Sequence, residues 1–344
     1  MQMWQRFGRR TLGLWAMILL SVIVLGSWVG CNGQGSQKEV WIYTSIYKSV
    51  IDEISGPMQA AFPGVKIQWF QGGSEVVAAK VNAELAGGGT HADLLLTSDP
   101  FWYLELKRAG LLVTYDSSAA SAVDPALKDP DHAFVTVRIP VMVIAQNPDK
   151  LKGKAPASFH DLIDARFKDQ VTMGSPLESG TNFTAAAFLS EKYGWNYFKV
   201  LRAMGIVAAG GNSSVMTRVE TGERPLGILL LENILAGVPK GTPVKAIYPT
   251  DGAVPIPSPI AIVKQKDQPE EVKKIYDWFF SELAQKAIVK SGMYSPLPTI
   301  PAPEGALSWA ELKKTLMPWT PETVNRMLAR RDEVKKQFTE TVLH

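Results

Sequence analysis

From residue 38 onward, apolar and polar positions follow two alternating rhythms. Residues 38–43 (Lys-Glu-Val-Trp-Ile-Tyr) form a short run that predicts a strand. Val50, Ile54, Met58 and Phe62 then recur every fourth residue, which predicts a helix broken by Pro63-Gly64. Residues 65–70 alternate and predict a second strand. Ser74 stands where a cap would open the next helix, whose stripe is Val77, Val81 and Leu85 and whose end is Gly87-Gly88-Gly89. Residues 92–97 give a third, apolar run, as expected for a strand buried on both faces. This β-α-β-α-β series implies parallel strands joined by helical crossovers.

A polar loop rich in Ser, Ala and Asp follows at residues 116–130. Residues 134–144 are β-like but interrupted by Pro140, and residues 249–263 are rich in proline. We read these two stretches as crossings between two lobes. Asp267-Gln268-Pro269 opens a helix carrying Val272, Ile275, Phe279 and Leu283. Thr320-Pro321 opens another, with Val324, Met327, Val334 and Phe338 on one face. The pattern divides the chain into residues 1–30, a tether at 31–38, a first lobe at 39–138 and a second lobe at 139–256. Residues 257–344 would return to the first lobe and add C-terminal helices.

The N-terminus changes the picture. Arg6, Arg9 and Arg10 precede an uncharged apolar stretch at residues 12–29, which ends in Val29-Gly30-Cys31. A basic region, an apolar region and small residues before a break describe an export signal. The apolar stretch is also long enough to cross a membrane. Cys31 is the single cysteine, so no internal disulfide can form, and it stands where a lipidated cysteine would, before the polar tether Asn32-Gly33-Gln34-Gly35-Ser36-Gln37. The segment resembles a bacterial lipoprotein signal, although Trp28 stands where such signals usually carry leucine. Either reading puts the body outside the cytoplasmic membrane, in the periplasm or at the cell surface, held to the membrane.

Composition is ordinary for a globular chain, with 46% hydrophobic and 20% charged residues. At 344 residues the chain exceeds what one core usually supports, which again favours two lobes. The formal net charge of +3 equals the charge of Arg6, Arg9 and Arg10, so the body is close to neutral. It presents no basic field for nucleic acid or an acidic membrane surface.

The sharpest chemical signal is Glu178-Ser179-Gly180-Thr181, where an apolar segment breaks at Gly174-Ser175-Pro176 and a helix restarts. A helix start offers unpaired N–H groups and partial positive charge, and two hydroxyls with a glycine let an anionic oxygen approach. Ser-Gly-Thr is equally what an ordinary cap looks like. Asn212-Ser213 stands at another predicted helix start. Three successive strands of the first lobe end in hydroxyl-bearing residues: Thr44 and Ser45, then Ser74, then Ser98 with Asp99. Capping explains each one singly, and their repetition on one sheet edge points to a site. Arg138, inside the first crossing, would either add charge to that site or pair with a carboxylate at the hinge.

Trp41-Ile42-Tyr43-Thr44-Ser45, residues 92–99, Glu178-Ser179-Gly180-Thr181, Gly211-Asn212-Ser213-Ser214 and Tyr248-Pro249-Thr250-Asp251-Gly252 together carry a resemblance. In this order the chain is similar to the two-lobed, type II extracellular solute-binding proteins of ABC importers. The nearer branch holds ferric-iron binders and binders of phosphorylated solutes or phosphonates. The resemblance implies an α/β fold of two lobes, each a mostly parallel sheet flanked by helices, joined by a two-stranded hinge. It implies a small anionic solute between the lobes, held by Thr44, Ser45, Ser74, Ser98, Asp99, Ser179, Gly180, Thr181, Asn212 and Ser213. It also implies a permease partner, a monomer, and neither catalysis nor a cofactor.

Glu232 is the departure from the branch's pattern. Ferric binders place paired tyrosines near this position, because Fe(III) is a hard ion that takes phenolate or carboxylate oxygens. This chain has Leu231-Glu232-Asn233 instead. A glutamate opposite an anion pocket suits a solute with a phosphate at one end and hydroxyls or an amine at the other. Glu232 as a solvated helix-start carboxylate is the plainer alternative. His91, His132, His160 and His344 have no metal-ligand spacing. A ferric site using Glu232, a tyrosine and a synergistic anion stands as the competing reading. An exported enzyme lacks any Gly-x-Ser-x-Gly or His-Glu-x-x-His motif to support it. A ligand-sensing lipoprotein would use the same lobe closure.

Overall fold

The opening β-α-β-α-β series closes into one sheet. Its strands are β1 (Lys38–Thr44), β2 (Val65–Gln71) and β3 (Leu94–Leu96), linked by helices α1 (Lys48–Ala61) and α2 (Ser74–Ala86). The computed structural model describes residues 38–343; Cys31, the export segment and the tether before residue 38 lie outside the described residues. β1 pairs with β3 in parallel, Ile42 opposite Leu94. The other edge of β3 is covered by β11 (Ser258–Ile262), antiparallel, and β11 in turn pairs with β4 (Val135–Arg138). Leu94, Leu95 and Leu96 are all fully buried, which is why this run shows no polar alternation. Helix α3 (Pro100–Arg108) follows β3 and buries Trp102, Tyr103 and Leu106 on this lobe.

The second sheet has the order β10-β5-β8-β6-β7, with β9 also on β5. Its strands are β5 (Val141–Gln146), β6 (Val171–Met173), β7 (Val207–Ala208), β8 (Leu226–Leu230), β9 (Lys245–Ile247) and β10 (Val254–Pro255). The helices of this half are α4 (Gly180–Ala203), α5 (Asn212–Thr221) and α6 (Leu231–Gly237). β6 is parallel to β7 and β8, whereas β5 is antiparallel to β8, β9 and β10. Both sheets are thus mixed, because the strands that cross between lobes enter against the direction of their neighbours. The molecule is a two-lobed α/β protein.

The chain crosses between sheets from β4 to β5 through Ile139-Pro140, and from β10 to β11 through Ile256-Pro257. The crossings are tied by Ile256 N–H to Pro140 O at 2.9 Å and by the pairing of Ser258 with Arg138. Each proline lacks a donor and so ends ladder pairing where the chain leaves one sheet. After α7 (Glu271–Trp278) and α8 (Glu282–Lys290) the chain passes the hinge again, Tyr294 bridging Ile139 and Leu316 bridging Ala253.

The helix expected over Val272 to Leu283 is two helices, because the Ser281 hydroxyl accepts from Ala284 N–H and starts α8; Leu283 is left exposed. The helix expected from Thr320 is likewise two, α10 (Pro321–Ala329) and α11 (Arg331–Phe338), after a single turn α9 (Trp309–Leu312). Met327, Leu328, Val334 and Phe338 join the apolar cluster of α4, with the Phe338 ring 5.4 Å from Phe198. Of residues 257–344, the part through α8 therefore sits with the first sheet, and α10 and α11 pack on the second lobe.

Candidate functional site

The ends of β1 and β3, the start of α2 and the end of β4 meet on one edge of the first sheet. Arg138, the last residue of β4, is buried, and its Nη2 donates to Ser98 Oγ (2.8 Å) and Ser45 Oγ (3.1 Å). Its Nη1 lies 3.0 Å from Met293 Sδ, and its Nε is buried without a partner. Ser258 Oγ lies 3.0 Å from Ser98 Oγ, so the two crossing strands supply adjacent groups. Burial lowers the Arg138 pKa from its ordinary value, and the charge of Glu232 opposes that shift. Among the described residues no salt bridge neutralises this guanidinium; its hydrogen bonds go to two hydroxyls and a thioether.

The second lobe brings the start of α4 against this edge. Ser179 caps α4, accepting from Asn182 N–H at 3.4 Å, and its Oγ lies 2.9 Å from Thr181 Oγ1. Asn212 Nδ2 donates to Thr181 Oγ1 (2.8 Å), and Asn182 Nδ2 to Asn212 Oδ1 (3.3 Å). The first amides of α4 have no acceptor within their own helix. Gly180 packs so closely that a Cβ there would lie 2.8 Å from Ser98 O and 3.0 Å from Ser74 Cβ. A Cβ on Gly73 would lie 3.3 Å from Glu178 O. Two glycines, one per lobe, thus let the lobes meet beside the hydroxyls.

Glu232, near the start of α6, bounds the other end. It is buried, and its Oε2 has no hydrogen-bond partner. Burial pushes its carboxyl up to about 7, and the charge of Arg138 partly opposes the rise. Gly292 passes directly over it at φ +91°, and a Cβ there would lie 2.8 Å from Glu232 Cα. Tyr47, on the first lobe, donates from its hydroxyl to Asn233 Oδ1 of the second at 3.0 Å. Burial first, then the charge of Glu232, raise the Tyr47 phenol above its usual range. The buried polar cluster between the two sheets therefore has a cationic, hydroxyl-rich end at Arg138 and a carboxylate end at Glu232.

Not every residue named from the sequence is available there. Thr44 Oγ1 donates to Leu96 O and accepts from Ile46 N–H, so it ties β1 to β3. Asp99 caps α3, accepting from Phe101 and Trp102 N–H, and pairs with Arg331 at 2.6 Å. Both are saturated by the protein itself. Ser74 does not cap α2, where Gly73 takes that position; its hydroxyl instead accepts from Ser98 N–H at 3.1 Å. Ser213 is exposed and stands apart from the bonded group. Ser45, Ser74, Ser98, Ser179, Gly180, Thr181 and Asn212 come together, with Glu232 across from Arg138.

Sequence reasoning gave no site role to Asn182, Asn233 or Ser258; Tyr47, which it weighed as a phenolate for a ferric site, instead donates to Asn233. Asp251 proves to be a fold residue: its carboxylate accepts from Phe159 N–H, His160 N–H and the Tyr193 hydroxyl. Among the described residues no three His, Cys, Asp or Glu side chains cluster to hold a metal. A cavity of about 950 Å³ lies against the crossings, lined by Ile139, Pro255, Pro257, Tyr294, Trp309 and Trp319 among others. Prolines and rings dominate it, and neither Arg138 nor Glu232 lines it.

The family described as bacterial extracellular solute-binding protein matches residues 90–319. A putative 2-aminoethylphosphonate-binding periplasmic protein of Salmonella paratyphi A is 27% identical over 238 residues, 65% of this chain and 67% of that protein. The periplasmic binding protein AfuA of Actinobacillus pleuropneumoniae, solved with fructose-6-phosphate, superposes with a TM-score of 0.78 at 20% identity, covering 90% of this chain and 99% of that one. Iron-bound HitA of Pseudomonas aeruginosa gives 0.75 at 21% identity, covering 86% and 99%. The structural likenesses speak for the fold alone, and they agree with two lobes each built on a mixed sheet. With the family matched over well more than half of its length, this chain belongs to the bacterial extracellular solute-binding proteins.

Proposed function

We propose that this protein captures a small zwitterionic organophosphorus solute, a phosphonate or phosphate ester that also carries an amine, and delivers it to the permease of an ABC importer. The observation that carries the reading is the buried carboxylate of Glu232, whose Oε2 has no hydrogen-bond partner, within electrostatic reach of Arg138, which is bonded only to neutral groups. An anionic head would take the Arg138 end, with Ser45, Ser98, Ser179, Thr181 and the first amides of α4 as donors. An ammonium at the other end would give Glu232 the counter-charge that a buried carboxylate needs. A sugar phosphate would offer hydroxyls there instead, leaving that charge uncompensated. The relative named for 2-aminoethylphosphonate has this chemistry.

Magnitudes support the proposal. Micromolar binding needs about 8 kcal/mol, and a hydrogen bond to a charged group contributes about 1.5–3 kcal/mol. Four or five such donors suffice after the costs of ordering. Capture would proceed by closure of the two lobes about their crossings. The body would act outside the cytoplasmic membrane as a monomer, held there by a lipid on Cys31. Calorimetry and thermal shift against 2-aminoethylphosphonate, fructose 6-phosphate, inorganic phosphate and ferric citrate test the reading. We expect micromolar or tighter binding of the aminophosphonate and the largest melting shift with it. Tight, coloured ferric binding without an organophosphorus response would overturn it.

A further inference from the structure

The C-terminal helix α11 belongs by packing to the second lobe, where Val334 and Phe338 share the core of α4. Its Arg331 and Lys335 face the first lobe. Arg331 Nη2 lies 2.6 Å from Asp99 Oδ2 and 3.7 Å from Glu75 Oε1, and its Nη1 lies 2.9 Å from Glu105 Oε2. Lys335 Nζ lies 2.8 Å from Glu75 Oε2. Glu75 follows Ser74 in the first turn of α2, and Asp99 follows Ser98 as the cap of α3. Each carboxylate is one residue from a hydroxyl of the cluster around Arg138. The same two cations lie 5.9 and 5.6 Å from the ring of Phe183, in the first turn of α4.

We infer that Arg331 is a positioning residue for lobe closure, an ionic strap that holds the two binding edges together before any solute arrives. Side-chain exposures of 12% for Arg331, 1% for Asp99 and 16% for Glu75 remove this cluster from the weak, fully solvated class of ion pairs. The strap is also incompletely satisfied. Arg331 Nε and Glu75 Oε1 are buried without hydrogen-bond partners, so opening returns them to water and can compete with closure. The planar guanidinium reaches Asp99 and Glu105 at once, which an ammonium cannot reproduce. The inference rests on the hinged closure of the proposed function but not on the identity of the solute.

Small-angle scattering on the ligand-free protein tests it without any ligand. The wild type should be compact at low salt, and its radius of gyration should rise as salt screens the strap. Arg331→Met should be expanded at low salt and insensitive to added salt, with Arg331→Lys in between. Glu105→Gln, at the exposed edge of the cluster, should give a smaller expansion and serves if Arg331→Met does not fold. Cooperative melting of each variant separates opening from unfolding. Wild-type compactness in folded Arg331→Met and in Glu105→Gln at every salt concentration would overturn the inference, whatever the panel of solutes shows.

Discussion

Glu232 lacks what a buried carboxylate requires, and this has a measurable consequence. An unfolded glutamate releases its proton near 4.5, whereas the folded one holds it to about 7. Between those values the folded state binds more protons, so ligand-free stability falls as pH rises across the window and is flat above it. A gap of this size corresponds to about 3 kcal/mol. Glu232→Gln should therefore melt higher than the wild type at pH 8 and much the same at pH 4. Identical melting shifts at both pH values would show that the carboxyl is not held as described. Arg138 is the counterpart: its cost of burial is met by hydroxyls, which leaves its charge for a ligand.

At the scale of elements, the candidate site depends on the start of α4 resting on the residues just after β3 and at the start of α2. Gly180 has no unusual backbone angle; what it supplies is space, since a Cβ would stand 2.8 Å from Ser98 O. Gly180→Ala should weaken solute binding at least tenfold by holding the lobes apart, while the melting temperature of the free protein stays within a few degrees. Calorimetry beside thermal melts checks this, and unchanged affinity would show that the contact is not needed for closure.

Much of this architecture was legible. Continuous apolar runs marked buried strands, Pro140 and the prolines after Tyr248 marked the crossings, and Ser179-Gly180-Thr181 marked a helix start. What was not legible depends on pairings across the chain. Nothing local says that Asp99 meets Arg331, that Tyr47 meets Asn233, or that Ser74 turns from its own helix to Ser98. The break at Ser281 was hidden because apolar spacing continues through it to Leu283.

For the whole molecule, the two lobes carry opposite halves of one recognition problem. The first lobe provides Arg138 and its serines, and the second provides the amide-rich start of α4 and the carboxylate of Glu232. On the proposed reading these groups would surround one solute when the lobes close; the Tyr47–Asn233 bond and the Arg331–Asp99 pair join the lobes. A near-neutral body suits selection by this internal charge pattern rather than by a surface field. Removing one partner of a buried charged contact typically costs about 2–5 kcal/mol, which sets the discrimination expected from Glu232.

The most direct test is the ratio of affinities for 2-aminoethylphosphonate and ethylphosphonate, measured by calorimetry at pH 8 in the wild type and in Glu232→Gln. The two solutes share the phosphonate and differ at the amine. The wild type should prefer the aminophosphonate by about thirtyfold or more, and that preference should collapse towards unity in the variant. Equal affinities in the wild type, or a preference that survives Glu232→Gln, would contradict it.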